Sequence, residues 1–232
     1  MCNLYDLGRA RRQSRDDWEA AIAAVIKESE EAVAGSTENT GLPQLKQFGI
    51  RKTDPGLVLT KEGGHPTAEV MRWGFHRSYN PAVNNARSEK LDHTWSGPWQ
   101  ERRRCLIPVS SFYEWNGPAG AKQTFCFNST DPEEWLWVAG IWEETPESVE
   151  GLPRSYSMLT REAVAPLSEV HHRMPVVLRP EHRAEYLEAG DPKSLLEDSR
   201  SDLTFFRCEN PLKNPKDHRG PVRETFLPGF DM

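Results

Sequence analysis

RCLIPVSSFYEW, residues 104–115, is the stretch on which the fold turns. Its two runs, Cys105–Val109 and Ser111–Trp115, are short and rich in branched and aromatic side chains, the composition that suits a pleated, half-buried surface. Similar runs stand upstream at Leu57–Thr60 and Thr67–Trp73 and downstream at Gln123–Phe127, Trp135–Trp142 and Ser155–Thr160, separated by Gly, Pro, Asn and Asp. Together they predict a strand-dominated domain. Helical signals flank it. Ser14 with Asp17 resembles a capping box, and Trp18, Ile22, Val25 and Ile26 share one helical face, which predicts a helix from about Arg15 to Ala34 and a loop over Asn39–Gly49. Pro180–Ala189 and Pro192–Ser199 open with proline at a first helical position and carry Leu187, Leu195 and Leu196 for burial, as peripheral helices would. Glu209–Met232, punctuated by Pro and Gly, reads as a loosely packed tail. The expected fold is α+β, mainly antiparallel β with peripheral helices, in a single domain over residues 1–232.

With 35 acidic against 29 basic residues the net charge is −6, which argues against a protein that coats nucleic acid generally but not against a local basic groove. The arginine clusters Arg9, Arg11, Arg12, Arg15 and Arg102, Arg103, Arg104 read, by themselves, as solvated faces. Cys2, Cys105, Cys126 and Cys208 form no CxxC pair and no zinc-like spacing, and the N-terminus lacks the apolar segment of a secretory signal, so a reduced, cytoplasmic protein is expected. The longest apolar stretch, around Trp135–Trp142, is interrupted by Gly140 and falls far short of a membrane span.

Chemistry begins at Cys2. If Met1 is removed, Cys2 becomes an N-terminal 1,2-aminothiol, whose amine titrates near pH ~8 and whose free thiol near ~8.5, so both nucleophiles are available at neutral pH. The amine can condense with an aldehyde to an imine, and the sulfur can close on the imine carbon to give a thiazolidine. Three further sites place polar groups in or beside apolar strands, where an unpaired polar group costs about 1–3 kcal/mol. These are Asn85 with Arg87, Glu114 between aromatics that raise a carboxyl pKa towards the acid–base range, and His171 with Arg173. Each has a plainer reading. Cys2 can be an ordinary buried cysteine, Glu114 the partner of one of Arg102–Arg104, and His171 a hydrogen-bonded core histidine. Trp73 and Trp115 fit core packing better than base stacking. Adjacent histidines in an extended segment point to opposite faces, so His171 and His172 would not share a metal.

Met1-Cys2, Met71-Arg72-Trp73-Gly74, Asn85-Ala86-Arg87-Ser88-Glu89, Arg104-Cys105-Leu106-Ile107-Pro108, Phe112-Tyr113-Glu114-Trp115 and His171-His172-Arg173-Met174-Pro175 together resemble the SOS-response-associated peptidase (SRAP) family of abasic-site-processing proteins, in order and approximate spacing over residues 1 to 180. The resemblance implies a β-barrel-like core, removal of Met1, and covalent capture by Cys2 of the ring-opened aldehyde of an abasic site in single-stranded DNA. The crosslink would shield the lesion during the DNA damage response. Peptidase activity on Met1 and lyase-type activity also follow from the resemblance. By the same resemblance Asn85, Glu114 and His171 join Cys2 as catalytic residues, and Trp73, Arg87, Thr160 and Arg173 contact DNA. The expected protein is a monomer, cytoplasmic and nucleoid-associated when crosslinked, with no metal, no organic cofactor and no membrane partner.

Two departures stand out. The family usually begins Met-Cys-Gly-Arg, whereas this chain begins Met1-Cys2-Asn3-Leu4, leaving Arg9 or Arg12 as substitutes for the missing phosphate contact if the chain turns back after Leu7. Gly49–Leu59 also lacks the usual wording. The rival functions are an N-terminal-nucleophile amidohydrolase or glutamine amidotransferase, and a non-covalent reader of single-stranded DNA whose complexes salt would dissolve.

Overall fold

The computed structural model of the chain describes residues 2–8, 16–33, 45–62, 64–216 and 218–224. In chain order the elements begin with β1 (Leu4–Asp6), α1 (Asp17–Val33), β2 (Ile50–Arg51), β3 (Pro55–Glu62), β4 (His65–Trp73), β5 (Phe75–Arg77), β6 (Asn80–Val83), β7 (Asn85–Arg87) and α2 (Ser96–Gln100). They continue with β8 (Arg104–Val109), β9 (Ser111–Asn116), β10 (Gln123–Ser129), β11 (Leu136–Glu144), β12 (Arg154–Glu162), β13 (Arg173–Pro175), β14 (Val177–Leu178), α3 (Arg183–Glu188), α4 (Lys193–Glu197) and β15 (Leu203–Cys208).

Five strands close on themselves. β12 pairs β4 in parallel, while β4 with β3, β3 with β8, β8 with β11 and β11 with β12 are antiparallel. Closure removes free strand edges, and a ring this small has room only for side chains. Every residue of β8 is buried. At Gly140 a Cβ would stand 2.5 Å from Ile107 Cδ1 and 2.9 Å from Cys105 Sγ, so the glycine that interrupts the apolar run of β11 is there for close approach. β13, β14 and β7 extend this sheet, β7 lying parallel to β12.

A second, antiparallel sheet runs β15-β10-β9-β1-β2. The stretch over residues 104–115 joins the two: β8 belongs to the barrel and β9 to the second sheet, with only Ser110 between them. Ser110 N–H donates to Asp6 O at 2.8 Å, pinning that corner to β1. The expected α+β, mainly antiparallel architecture is the one observed.

Three local expectations change. The α1 cap is Asp16, whose Oδ1 accepts the Glu19 N–H at 2.8 Å; Ser14 lies outside the described residues, as do Arg9 and Arg12. Ile22 and Ile26 are buried and Trp18 and Val25 pack beside them, so the predicted face holds. Arg104 is not solvated. Its guanidinium donates to Tyr186 O (3.2 Å), Ala189 O (2.6 Å) and Gly190 O (3.0 Å), stacks 4.4 Å from the Trp99 ring centroid, and so satisfies carbonyls at the end of α3.

The segment after β15 is tied down at both ends of its described residues, 209–216 and 218–224. Glu209 N–H donates to Val222 O at 3.0 Å, and Glu224 N–H donates to Arg207 O at 3.3 Å. His218 reaches inward to Asp6, with Nε2 3.0 Å from Oδ1. Asp6, fully buried, also accepts from Gly49 N–H (2.8 Å), Ser111 Oγ (3.0 Å) and Tyr113 Oη (2.6 Å). Such a carboxylate is tolerated inside only because its lone pairs are filled. Proline and glycine spacing carries no sign of this inward-facing, part-buried histidine.

Candidate active site

Cys2 sits two residues before the start of β1 at Leu4, and Asn84 and Asn85 sit where the chain passes from β6 to β7. Asn84 Nδ2 donates to Cys2 O at 3.0 Å and Asn85 Nδ2 to the same oxygen at 2.7 Å. Two amides on one carbonyl fix the peptide that carries the thiol. Asn85 Oδ1 is buried and accepts no hydrogen bond from the described residues.

Trp73 explains why the two asparagines stand there. Its Nε1 donates to Asn84 O at 3.0 Å, and its ring meets Tyr5 of β1 edge-on with centroids 4.9 Å apart. At 0 % exposure it offers no face to a base, as the core-packing reading of Trp73 expects and unlike the DNA contact that the family resemblance implies, and it aligns β1 with the Asn84–Asn85 corner. Beneath it, Tyr5 and Tyr156 share a hydroxyl hydrogen bond of 2.7 Å.

Cys2 is 1 % exposed, and its Sγ donates to Leu4 O at 3.5 Å. Burial, reinforced by the charge of Glu114, pushes the thiol well above its ordinary range. Glu114, on β9, is 2 % exposed, and burial raises its carboxyl to about 7 against the pull of the positive amino terminus and Lys122. A carboxyl in that range can both give and take a proton at neutral pH.

His171 follows a short 3-10 turn, Leu167–Glu169, which Asn116 of β9 ties to the site by donating Nδ2 to Glu169 O at 3.2 Å. Its Nδ1 lies 3.0 Å from Arg173 N and 3.1 Å from Arg173 O. The neutral ring accepts from that N–H and the protonated ring donates to that carbonyl, so either state is held without moving the ring. Burial, then the same positive amino terminus, lowers its pKa. The rings of His171 and His172 stack at 4.4 Å rather than pointing apart, because the segment leaves a 3-10 turn and is not extended strand. Among the described residues no group of three or more His, Cys, Asp or Glu could hold a metal ion.

The remaining DNA-contact candidates separate by exposure. Thr160 is buried on β12, and Arg173, also buried, donates to Thr160 O at 2.6 Å and clasps both carboxylate oxygens of Glu89. Either would have to break an internal bond to reach a phosphate. Arg87 alone of the four is exposed. Sequence reasoning passed over Tyr79, which is 74 % exposed in the turn between β5 and β6, the hairpin that leads into Asn84. Its signal was an aromatic set among polar residues, Arg77-Ser78-Tyr79-Asn80.

Comparison with solved structures shows the same fold elsewhere. A crystal structure of a protein from Bacteroides thetaiotaomicron superposes with a TM-score of 0.66 at 16 % identity, covering 94 % of this chain and 97 % of the other. A phage-related protein from Bordetella bronchiseptica gives 0.64 at 18 % identity over 90 % and 95 %. Among sequence relatives, the abasic site processing protein HMCES of Gallus gallus is 31 % identical over 138 residues, 47 % of this chain and 41 % of that protein. The abasic site processing protein YMR114C of Saccharomyces cerevisiae is 28 % identical over 49 % of this chain and 29 % of its own length. The abasic site processing protein YoqW of Bacillus subtilis is 26 % identical over 73 % of this chain and 81 % of its own. The chain thus matches less than half the length of the chicken and yeast relatives. Residues 1–213, from the Cys2 corner through the last barrel strand and β15, match the family described as SOS response associated peptidase (SRAP), and the chain belongs to that family.

Proposed function

We propose that this protein, once Met1 is removed, captures the ring-opened aldehyde of an abasic site in single-stranded DNA through Cys2 and shields the lesion as a covalent adduct. The reading rests on one juxtaposition: a Cys2 peptide held by two asparagine amides, with its thiol within the field of a buried carboxyl that titrates at about 7. The names of the relatives, all abasic site processing proteins, point the same way.

The amine attacks first, because burial keeps the thiol protonated and weakly nucleophilic. The amine nitrogen bonds to the aldehyde carbon, loses its proton, and the oxygen departs as water once protonated; Glu114 and His171 carry these protons. The thiol then adds to the imine carbon, its proton passing by way of the Glu114 carboxylate to the ring nitrogen. Aldehyde and aminothiol combine with loss of one water. Arg87 takes a backbone phosphate, and Tyr79 supplies the stacking face that the buried Trp73 cannot.

The same carboxyl assists release of Met1 by activating water at the Met1–Cys2 bond; intact mass of Glu114→Gln, expressed without aminopeptidase, should then retain Met1. Incubation of the processed protein with an abasic oligonucleotide, followed by a denaturing gel, tests capture itself. A slower band that vanishes in Cys2→Ala is expected, and absence of the band with wild type refutes the reading.

A further inference from the structure

A concavity opens at Asn3, the residue after Cys2, between the turn that joins β9 to β10 and the segment after β15. Asn3, Trp115, Lys122, Asn210 and Lys213 are among its lining residues, and it encloses about 490 Å³. None of its walls carries a carboxylate. That is unexpected in a chain of net charge −6, and two larger concavities differ: one, which shares Asn210 and Lys213 with this groove, is also lined by Glu209 and Glu224, the other by Glu89, Asp92, Glu162 and Glu197. Lys122 and Lys213 are both exposed, and neither makes an ion pair with a described residue. Lys122 is also near enough to Glu114 and His171 to lower the pKa of each. Trp115, half-buried, forms an apolar wall, and Asn3 and Asn210 add amide donors.

We propose that this groove is a phosphate-binding subsite for the DNA strand bearing the lesion, with Lys122 and Lys213 as its cations. The assignment rests on the DNA-binding part of the function proposed above. It also answers what stands in for the arginine that the family carries at the fourth position: Leu4 is buried with Tyr113, Cys126 and Cys208, so position 4 offers DNA nothing. Lys213 lies where the match to the family ends, and its segment is held in place five residues on by His218 against Asp6. One wall of the groove is therefore built by the C-terminal segment, across from the hairpin that holds Glu114.

Fluorescence anisotropy with a labelled single-stranded oligonucleotide lacking any abasic site isolates this subsite from bond making. Each phosphate neutralised on a single strand contributes about 0.7 to the slope of log affinity against log salt. The double variant Lys122→Ala/Lys213→Ala should bind roughly 10-fold more weakly at low salt and lose about 1.4 of that slope, whereas Lys216→Ala, an exposed lysine outside the groove, should leave both unchanged. An unaltered slope in the double variant, an equal loss in Lys216→Ala, or no binding by wild type overturns the subsite. If binding behaves as expected but an abasic oligonucleotide fails to crosslink, covalent capture falls and the subsite stands.

Discussion

Glu114 holds its proton more tightly in the folded chain than in the unfolded one, because burial lifts its carboxyl from about 4.5 to about 7. Between those two values the folded state binds more protons than the unfolded state, so stability falls as pH rises through that window. The full effect is on the order of 3 kcal/mol. Urea denaturation at pH 5 and pH 8 should show wild type weaker at the higher pH and Glu114→Gln nearly level, since an amide does not titrate. A Gln variant that loses stability as wild type does would remove Glu114 as the source. Cys2, Asn85, Glu114 and His171 stand out in the sequence as candidates because each is polar or reactive within a strongly apolar or aromatic setting. The core-packing reading of Trp73 was legible too, whereas the DNA contact implied for it by the family resemblance was not decided by the sequence, because an indole that packs and one that stacks on a base look alike until their exposure is known. The same limit hid Tyr79, whose exposed position depends on the β5–β6 turn.

β15 (Leu203–Cys208), which pairs with β10, was passed over in the sequence, whereas the long strands from β3 to β12 were visible as runs of branched and aromatic side chains, and the late helices by their leading prolines. Two- and three-residue strands such as β2, β7 and β13 were not, since pairing partners far along the chain define them. The pairing of β12 with both β4 and β7 in parallel is likewise a tertiary choice that no local pattern encodes. Gly56 of β3 exposes the tightest packing at this scale. A Cβ there would lie 2.0 Å from Tyr156 Oη and 2.6 Å from Tyr5 Oη, so Gly56→Ala must part the tyrosine pair that anchors β1. Thermal or urea unfolding should record a loss of about 1–3 kcal/mol, with slower aldehyde capture as Cys2 shifts; wild-type stability would contradict this account of the anchor. His218→Ala removes one donor from buried Asp6 and should cost about 1–3 kcal/mol. Limited proteolysis should then cut faster within residues 209–224, whereas an unchanged digestion pattern would mean that backbone pairing alone holds the segment.

Across the whole molecule the charge balance opposes DNA, so the proposed binding must be local. Lys122 and Lys213 supply positive charge in the groove beside Asn3, while acidic residues line two larger concavities. Encounter with DNA should consequently weaken steeply with added salt, whereas the adduct, once formed, should survive both high salt and denaturant. A gel in which salt added after reaction removes the shifted band would mean that no bond had formed. Composition could bound this behaviour but not locate it, because the groove is assembled from residues near positions 3, 115–122 and 210–213 that only the fold brings together.

Intact-mass spectrometry of the protein after exposure to an abasic oligonucleotide tests the central claim most directly. The expected species has the mass of the chain without Met1 plus the oligonucleotide, less one water, and is absent from Cys2→Ala. An adduct on a chain that still carries Met1, or the same adduct on Cys2→Ala, would contradict capture by a freed N-terminal cysteine.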